Sequence, residues 1–99
     1  MSIHVVAWNF KPEIKEEDKP ALLSAMKLHL ENLVGQVPGL CTAKFIDAPL
    51  PGSSREFCLM TTHVSNDAIA AYAADPKHNA VADSFVRPYT CDRISINFE

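Results

Sequence analysis

The chain has 99 residues, 47% of them hydrophobic and 21% charged, with a formal net charge of −3. That length holds one domain and one core across residues 1–99, and such a composition belongs to globular chains, not disordered ones. The slightly acidic balance lacks the basic footprint of nucleic-acid binding, and no run nears the roughly 20 apolar residues of a membrane span.

The opening Met1-Ser2-Ile3-His4 shows no basic segment ahead of a long apolar core, so no signal peptide is expected and a cytoplasmic location is. Cys41, Cys58 and Cys91 form no C-x-x-C pair and fall in strand-like runs, which fits reduced, half-buried thiols.

Ile3 to Phe10 alternates as a strand, with His4, Val6, Trp8 and Phe10 on one face and Ile3, Val5, Ala7 and Asn9 on the other. Both faces are largely apolar, so both are expected to be covered. A helix is predicted from about Asp18 to Val34, with Pro20 tolerated in its first turn. Leu22, Leu23, Met26, Leu30, Leu33 and Val34 form its apolar stripe, with Lys27 and Glu31 opposite. Gly35 and the Val37-Pro38-Gly39 turn close it. Leu40–Ile46 reads as a second strand, Ala48 to Ser54 as a loop, and Glu56–Val64 as a third strand.

Ser65 or Asn66 can cap a short helix through about Ala74, burying Ile69, Tyr72 and Ala73. Asp75-Pro76 is a fresh helix start, with Asp as cap and Pro in the first helical position. The new helix presents His78, Val81, Ala82, Phe85 and Val86 on one face before Arg87-Pro88 stops it. Thr90 to Phe98 closes the chain as a strand, with Ile94, Ile96 and Phe98 facing one way and Arg93, Ser95 and Asn97 the other. The order β-α-β-β-α(α)-β predicts a ferredoxin-like α+β fold with helices on one sheet face. Strands 1 and 3 carry too much apolar surface on the other face to leave it wet, so a second copy of the chain is expected to cover it as a homodimer.

Candidate chemistry gathers around His78. It lies in the first turn of its helix among apolar neighbours, where the positive helix end and burial both favour the neutral imidazole that acts as a general base. Tyr72, one short turn earlier, could donate its hydroxyl to a developing enolate oxygen. Packing alone would also account for both residues. His4 is expected to face Asn97 across strands 1 and 4, an arrangement that also suits simple mutual hydrogen bonding. Trp8 and Phe10 are candidates to line a pocket between sheet and helices, with Val81, Phe85 and Asn97 as further substrate contacts. His29 and His63 read as surface or edge residues. No metal is expected, since H-x-x-x-H, H-E-x-x-H and C-x-x-C spacings are absent, and no glycine-rich phosphate loop or G-x-S-x-G elbow exists.

The His4-Val5-Val6 opening, the Val37-Pro38-Gly39 turn, the Tyr72 to His78 segment with its Pro76, and the closing Arg87-Pro88 together resemble the stress-responsive dimeric barrel (Dabb) family over essentially the whole chain. The resemblance implies a dimeric α+β barrel made of two packed sheets. One branch of that family closes linear polyketide chains by cofactor-free aldol chemistry, with a His and a Tyr placed like His78 and Tyr72 and a His near the start of strand 1, matching His4. In that branch an acidic residue near the end of the last strand orients the catalytic His, and here the corresponding position is Asn97. An amide cannot stabilise an imidazolium as a carboxylate does.

Two classes of function follow. One is a small hydrophobic or aromatic ligand held in the pocket, without cofactor, with proton transfer beside a carbonyl as in a cyclase or isomerase. The other is a non-catalytic stress or assembly protein whose dimer is the functional object. A related alternative is a cofactor-free monooxygenase-like barrel. A large empty pocket at His78 favours the first, and a filled core with His78 bonded to backbone favours the second.

Overall fold

Alternation along the first strand becomes alternation in burial. A computed structural model describes residues 1–99, and in it β1 (Ser2–Phe10) buries Ser2, His4, Val6, Trp8 and Phe10 while Ile3, Val5, Ala7 and Asn9 stay half-exposed. The other strands are β2 (Leu40–Ile46), β3 (Phe57–His63) and β4 (Thr90–Phe98). They form one antiparallel sheet in the order β2-β3-β1-β4, the split arrangement expected of a ferredoxin-like α+β fold.

The helices cover the face that carries Val6, Trp8 and Phe10. α1 (Lys19–Glu31) follows a short turn at Glu16–Asp18, and its Met26 and Leu30 are buried in the core with Phe45, Phe57 and Leu59. The predicted helix ran to Val34, but regular helix stops at Glu31. Leu33 remains buried in the following turn, whereas Val34 falls off the stripe and is 40% exposed. Helical periodicity places a side chain only while the helix lasts, and Gly35, at φ +88°, carries the chain round a left-handed turn.

Glu31 also departs from its predicted solvent-facing position. Its carboxylate accepts from the Phe45 N–H at 2.9 Å and from Lys27 Nζ at 3.0 Å, so it ties α1 to a free N–H of the edge strand β2. Burial pushes its carboxyl upward, yet the Phe45 N–H and the Lys27 ammonium outweigh that and hold it below the usual range.

The caps read from the sequence form as expected. Ser65 Oγ accepts from the Ala68 N–H at the start of α2 (Asn66–Ala74), and Asp75 Oδ1 accepts from the Lys77 N–H at 2.8 Å to start α3 (Pro76–Val81). α3 continues through a π-helical turn at Ala82–Val86 and a tight turn at Arg87–Tyr89 before β4. Gly39, at φ +84°, lets the turn before β2 press against α2: a Cβ there would sit 2.8 Å from Ala68 Cβ.

β4 carries one irregularity that matters for the site. Ala7 pairs with Ile94 and Asn9 with Cys91, so Asp92 and Arg93 together oppose Trp8 in a bulge. Asp92 takes φ +54°, the left-handed region rare for a non-glycine residue. Asn9 Nδ2 donates to Asp92 Oδ2 at 3.2 Å, and Arg55 Nε donates to the Asp92 carbonyl at 2.8 Å.

The second sheet face is bare in the single chain. Ile94, Ile96 and Phe98 are 48%, 64% and 48% exposed, Met60 joins them from β3, and Ile3, Val5 and Ala7 lie between. No helix is long and apolar enough to cross a membrane.

Candidate functional site

Between the helix-covered sheet face and α2–α3 lies a cavity of about 280 Å³. His4, Val6 and Trp8 from β1 form its floor, Tyr72 and His78 its helical wall, and Arg87 and Arg93 supply positive charge at its lining. No acidic side chain lines it. The cavity is therefore mainly apolar with a few convergent polar groups, the usual composition of a small-molecule site.

β1 delivers His4 inward because its even-numbered residues share one face. His4 and Asn97 are register partners, and the ring Nδ1 donates to Asn97 Oδ1 at 2.5 Å. An amide oxygen can only accept, so Nδ1 carries the proton of this bond. Asn97 orients His4 and not His78.

Four rings then run in contact from strand to helix. His4 and His63 meet edge-on at 6.5 Å between centroids, His63 and Tyr72 at 5.1 Å, and Tyr72 and His78 at 4.2 Å. Thr61, fully buried, donates its hydroxyl to the His4 carbonyl at 3.5 Å and lies 2.8 Å from His63 Nε2. The Thr61 hydroxyl and His63 Nε2 are thus hydrogen-bonded, in the direction that the ring's tautomer sets.

Three buried side-chain polar atoms in the chain have no hydrogen-bond partner: His63 Nδ1, the Tyr72 hydroxyl and His78 Nδ1. All three belong to this one run of rings. Each such atom costs on the order of 1–3 kcal/mol, and all three gather beside the cavity that Tyr72 and His78 line.

Charge states follow from the surroundings. Burial pushes the Tyr72 phenol up to about 12, so it is a proton donor at neutral pH. Burial lowers the His78 imidazole below its ordinary value, and the Arg87 guanidinium lowers it further; the Ala73 carbonyl and the Asp75 carboxylate oppose this only in part. Burial, then His4, lowers His63 likewise. His78 and His63 are thus neutral above about pH 6.5.

Of the residues singled out from the sequence, His4, Trp8, Tyr72 and His78 meet at the cavity. Phe10 lies deeper, packed on Phe57 at 4.8 Å, and Val81 packs against the same core. Phe85 stacks on His29 at 3.8 Å, so His29 is half-buried and not a free surface residue, and Phe85 packs against the core without lining the cavity. Ala73, expected to be buried on α2, is exposed, and Ala68 is buried in its place.

His63 corrects the reading of an edge residue: it is fully buried. Its parity with Phe57, Leu59 and Thr61 along β3 is the signal that points it inward. Arg87 and Arg93 were not among the candidates, although Arg93 shares its predicted face with Asn97. No group of His, Cys, Asp or Glu side chains is arranged to hold a metal ion.

The family model described as the stress responsive A/B barrel domain matches residues 3–99. The chain belongs to that family. No curated relative matches it. Among solved structures, a dimeric protein of unknown function and ferredoxin-like fold from Bacteroides fragilis superposes at a TM-score of 0.88 with 18% identity, over 99% of this chain and 94% of that one. A protein from Arabidopsis thaliana gives 0.74 at 20% identity, over 100% and 94%. A putative antibiotic biosynthesis monooxygenase from Nitrosomonas europaea gives 0.72 at 15% identity, over 100% and 97%. At such identities these likenesses establish the ferredoxin-like fold of this Dabb chain and leave its activity to its own residues.

Proposed function

We propose that this Dabb chain is a cytoplasmic homodimer whose protomers each hold a small hydrophobic or aromatic molecule in the cavity, where His78 moves a proton beside a carbonyl without a cofactor. The observation that carries the reading is a mainly apolar cavity bordered by Tyr72 and His78, each with an unpaired buried polar atom, with His63 packed behind Tyr72. A filled core around His78 would have argued for a purely structural role; His78 instead borders the cavity while keeping the Ala73 carbonyl as a backbone partner.

In this reading the neutral His78 imidazole takes the proton from carbon next to a ligand carbonyl, and the protonated Tyr72 phenol donates to the enolate oxygen that forms. The Asn97 bond fixes the His4 ring at the cavity floor. No carboxylate orients His78 through a hydrogen bond, so the imidazolium formed during proton transfer gains little stabilisation, and slow turnover is expected.

The dimer forms through the bare sheet face. Covering Ile94, Ile96, Phe98 and Met60 against their copies removes apolar surface from water at about 25 cal/mol per Å². It would also close two four-stranded sheets into the barrel after which the family is named.

Two measurements test this reading. Sedimentation at micromolar concentration should give a dimer; monomer alone would remove the assembly. Hydrogen–deuterium exchange at the α-carbon of an aryl methyl ketone in D2O should be faster with the protein and return to background with His78→Ala. Exchange that is unaccelerated, or accelerated equally by that variant, would remove His78 from proton transfer.

A further inference from the structure

Two guanidinium groups line the cavity, and they are not equivalent. Arg87 is engaged: Nη1 bonds Asp83 at 2.5 Å and Nη2 donates to Asn79 at 3.2 Å. Arg93 makes no side-chain hydrogen bond, and none of the four ion pairs of the chain includes it. No acidic residue lines the cavity to neutralise it, and His78 across the cavity is neutral at physiological pH.

The backbone beneath Arg93 is built at a cost. The bulge opposite Trp8 holds Asp92 in a left-handed conformation that non-glycine residues rarely adopt. Asn9 and Arg55 fasten it from the other side. Bulges re-aim side chains at the rims of sites, and this one puts Arg93 on the cavity lining at the edge of the sheet.

The geometry points to Arg93 as the anchor of an anionic head group, so that the cavity selects amphipathic monoanions: an apolar or aromatic body carrying one carboxylate. This rests on the reading of the cavity as a ligand site and adds the class of ligand. The size of the body follows from the volume. A cavity of about 150 Å³ holds one benzene, so about 280 Å³ takes roughly a dozen non-hydrogen atoms. Guanidinium matches the planar carboxylate in a two-pronged bond, and a single uncommitted Arg balances a single negative charge.

The test is calorimetric titration at pH 7.5 with 4-propylbenzoate and with its neutral isostere 4-propylbenzamide, on the full chain and on Arg93→Gln. The wild type should prefer the carboxylate by about fivefold or more, within the range of one charge-assisted bond at a partly exposed site. Arg93→Gln should bind the amide as the wild type does and lose the preference. Because Arg93 is exposed and unpaired, this variant should keep its fold, and its amide affinity verifies that. Equal wild-type affinities, or a preference that survives in Arg93→Gln, would overturn the anchor and leave the cavity standing as a ligand site. If neither compound binds the wild type, both the anchor and the ligand-site reading fall.

Discussion

Removing the Tyr72 hydroxyl should make the protein more stable. Tyr72 is 3% exposed and its hydroxyl has no partner, so folding strips that group of water without replacing the lost hydrogen bonds. The penalty is on the order of 1–3 kcal/mol. Tyr72→Phe deletes the hydroxyl and keeps the ring, and with it the contacts at 5.1 Å to His63 and 4.2 Å to His78. A small void offsets part of the gain, leaving a stabilisation of about 1–2 kcal/mol. For a domain of this size each kcal/mol moves Tm by about 4–8 °C, so a rise of roughly 4–15 °C is expected. The assay is thermal and urea unfolding of both proteins at one fixed protomer concentration, because dimerisation makes Tm concentration-dependent. The same variant should lose α-carbon exchange activity, a trade of function for stability. A Tm equal to or below that of the wild type would show that the hydroxyl is satisfied in the folded protein, and the argument from unpaired atoms would fail.

Further outcomes follow from other contacts. Glu31→Ala should destabilise by about 2 kcal/mol, because it leaves the partly buried Phe45 N–H unpaired; urea unfolding at pH 7 measures it. Since the folded pKa of Glu31 is depressed, its contribution is present above the usual carboxylate range and should fade as pH falls through the folded value, and a flat acid profile of wild type minus Glu31→Gln would contradict that. His63 and His78 are also depressed in the fold, so stability should drop as pH falls below about 6.5, and NMR titration should place both rings under that value. Gly39→Ala should cost more than about 1 kcal/mol, since it combines a positive φ with a 2.8 Å approach to Ala68; an unchanged Tm would show that α2 yields freely. Ile96→Glu on the bare sheet face should give monomer in sedimentation while leaving the cavity side of the sheet folded.

Much of the fold was legible because its signals are local. The alternation in β1, the Ser65 and Asp75 caps and Pro76 in the first helical position each act within a few residues, and each formed as read. The end of α1 was less legible, since Leu33 and Val34 continue an apolar pattern past the last helical bond and only the tertiary packing separates them. Four of the residues that line the cavity, His4, Trp8, Tyr72 and His78, could be named in advance, from β1 parity and the Tyr72–His78 segment. His63 escaped because a histidine near a strand end suggests solvent, although its parity with Phe57 points inward. Arg93 escaped because its importance depends on a bulge that pairing with β1 reveals, and the sequence carries no glycine there to announce it. The partnership of Phe85 with His29 joins residues 56 positions apart on different helices, beyond any periodicity.

The position of β1 at the centre of the sheet has a consequence for synthesis. The first strand made must wait for β3 on one side and for β4, the last strand, on the other. His4 meets Asn97 93 positions later, and Ser2 Oγ donates to the Glu99 carboxylate across 97. Contacts between such distant positions form late and slow folding. β4 must therefore leave the ribosome before the cavity floor is complete, and until then Val6, Trp8 and Phe10 remain uncovered in the nascent polypeptide. During that interval the strand that later carries the site is the segment most exposed to mispairing, and its protection falls to chaperones or to speed of release.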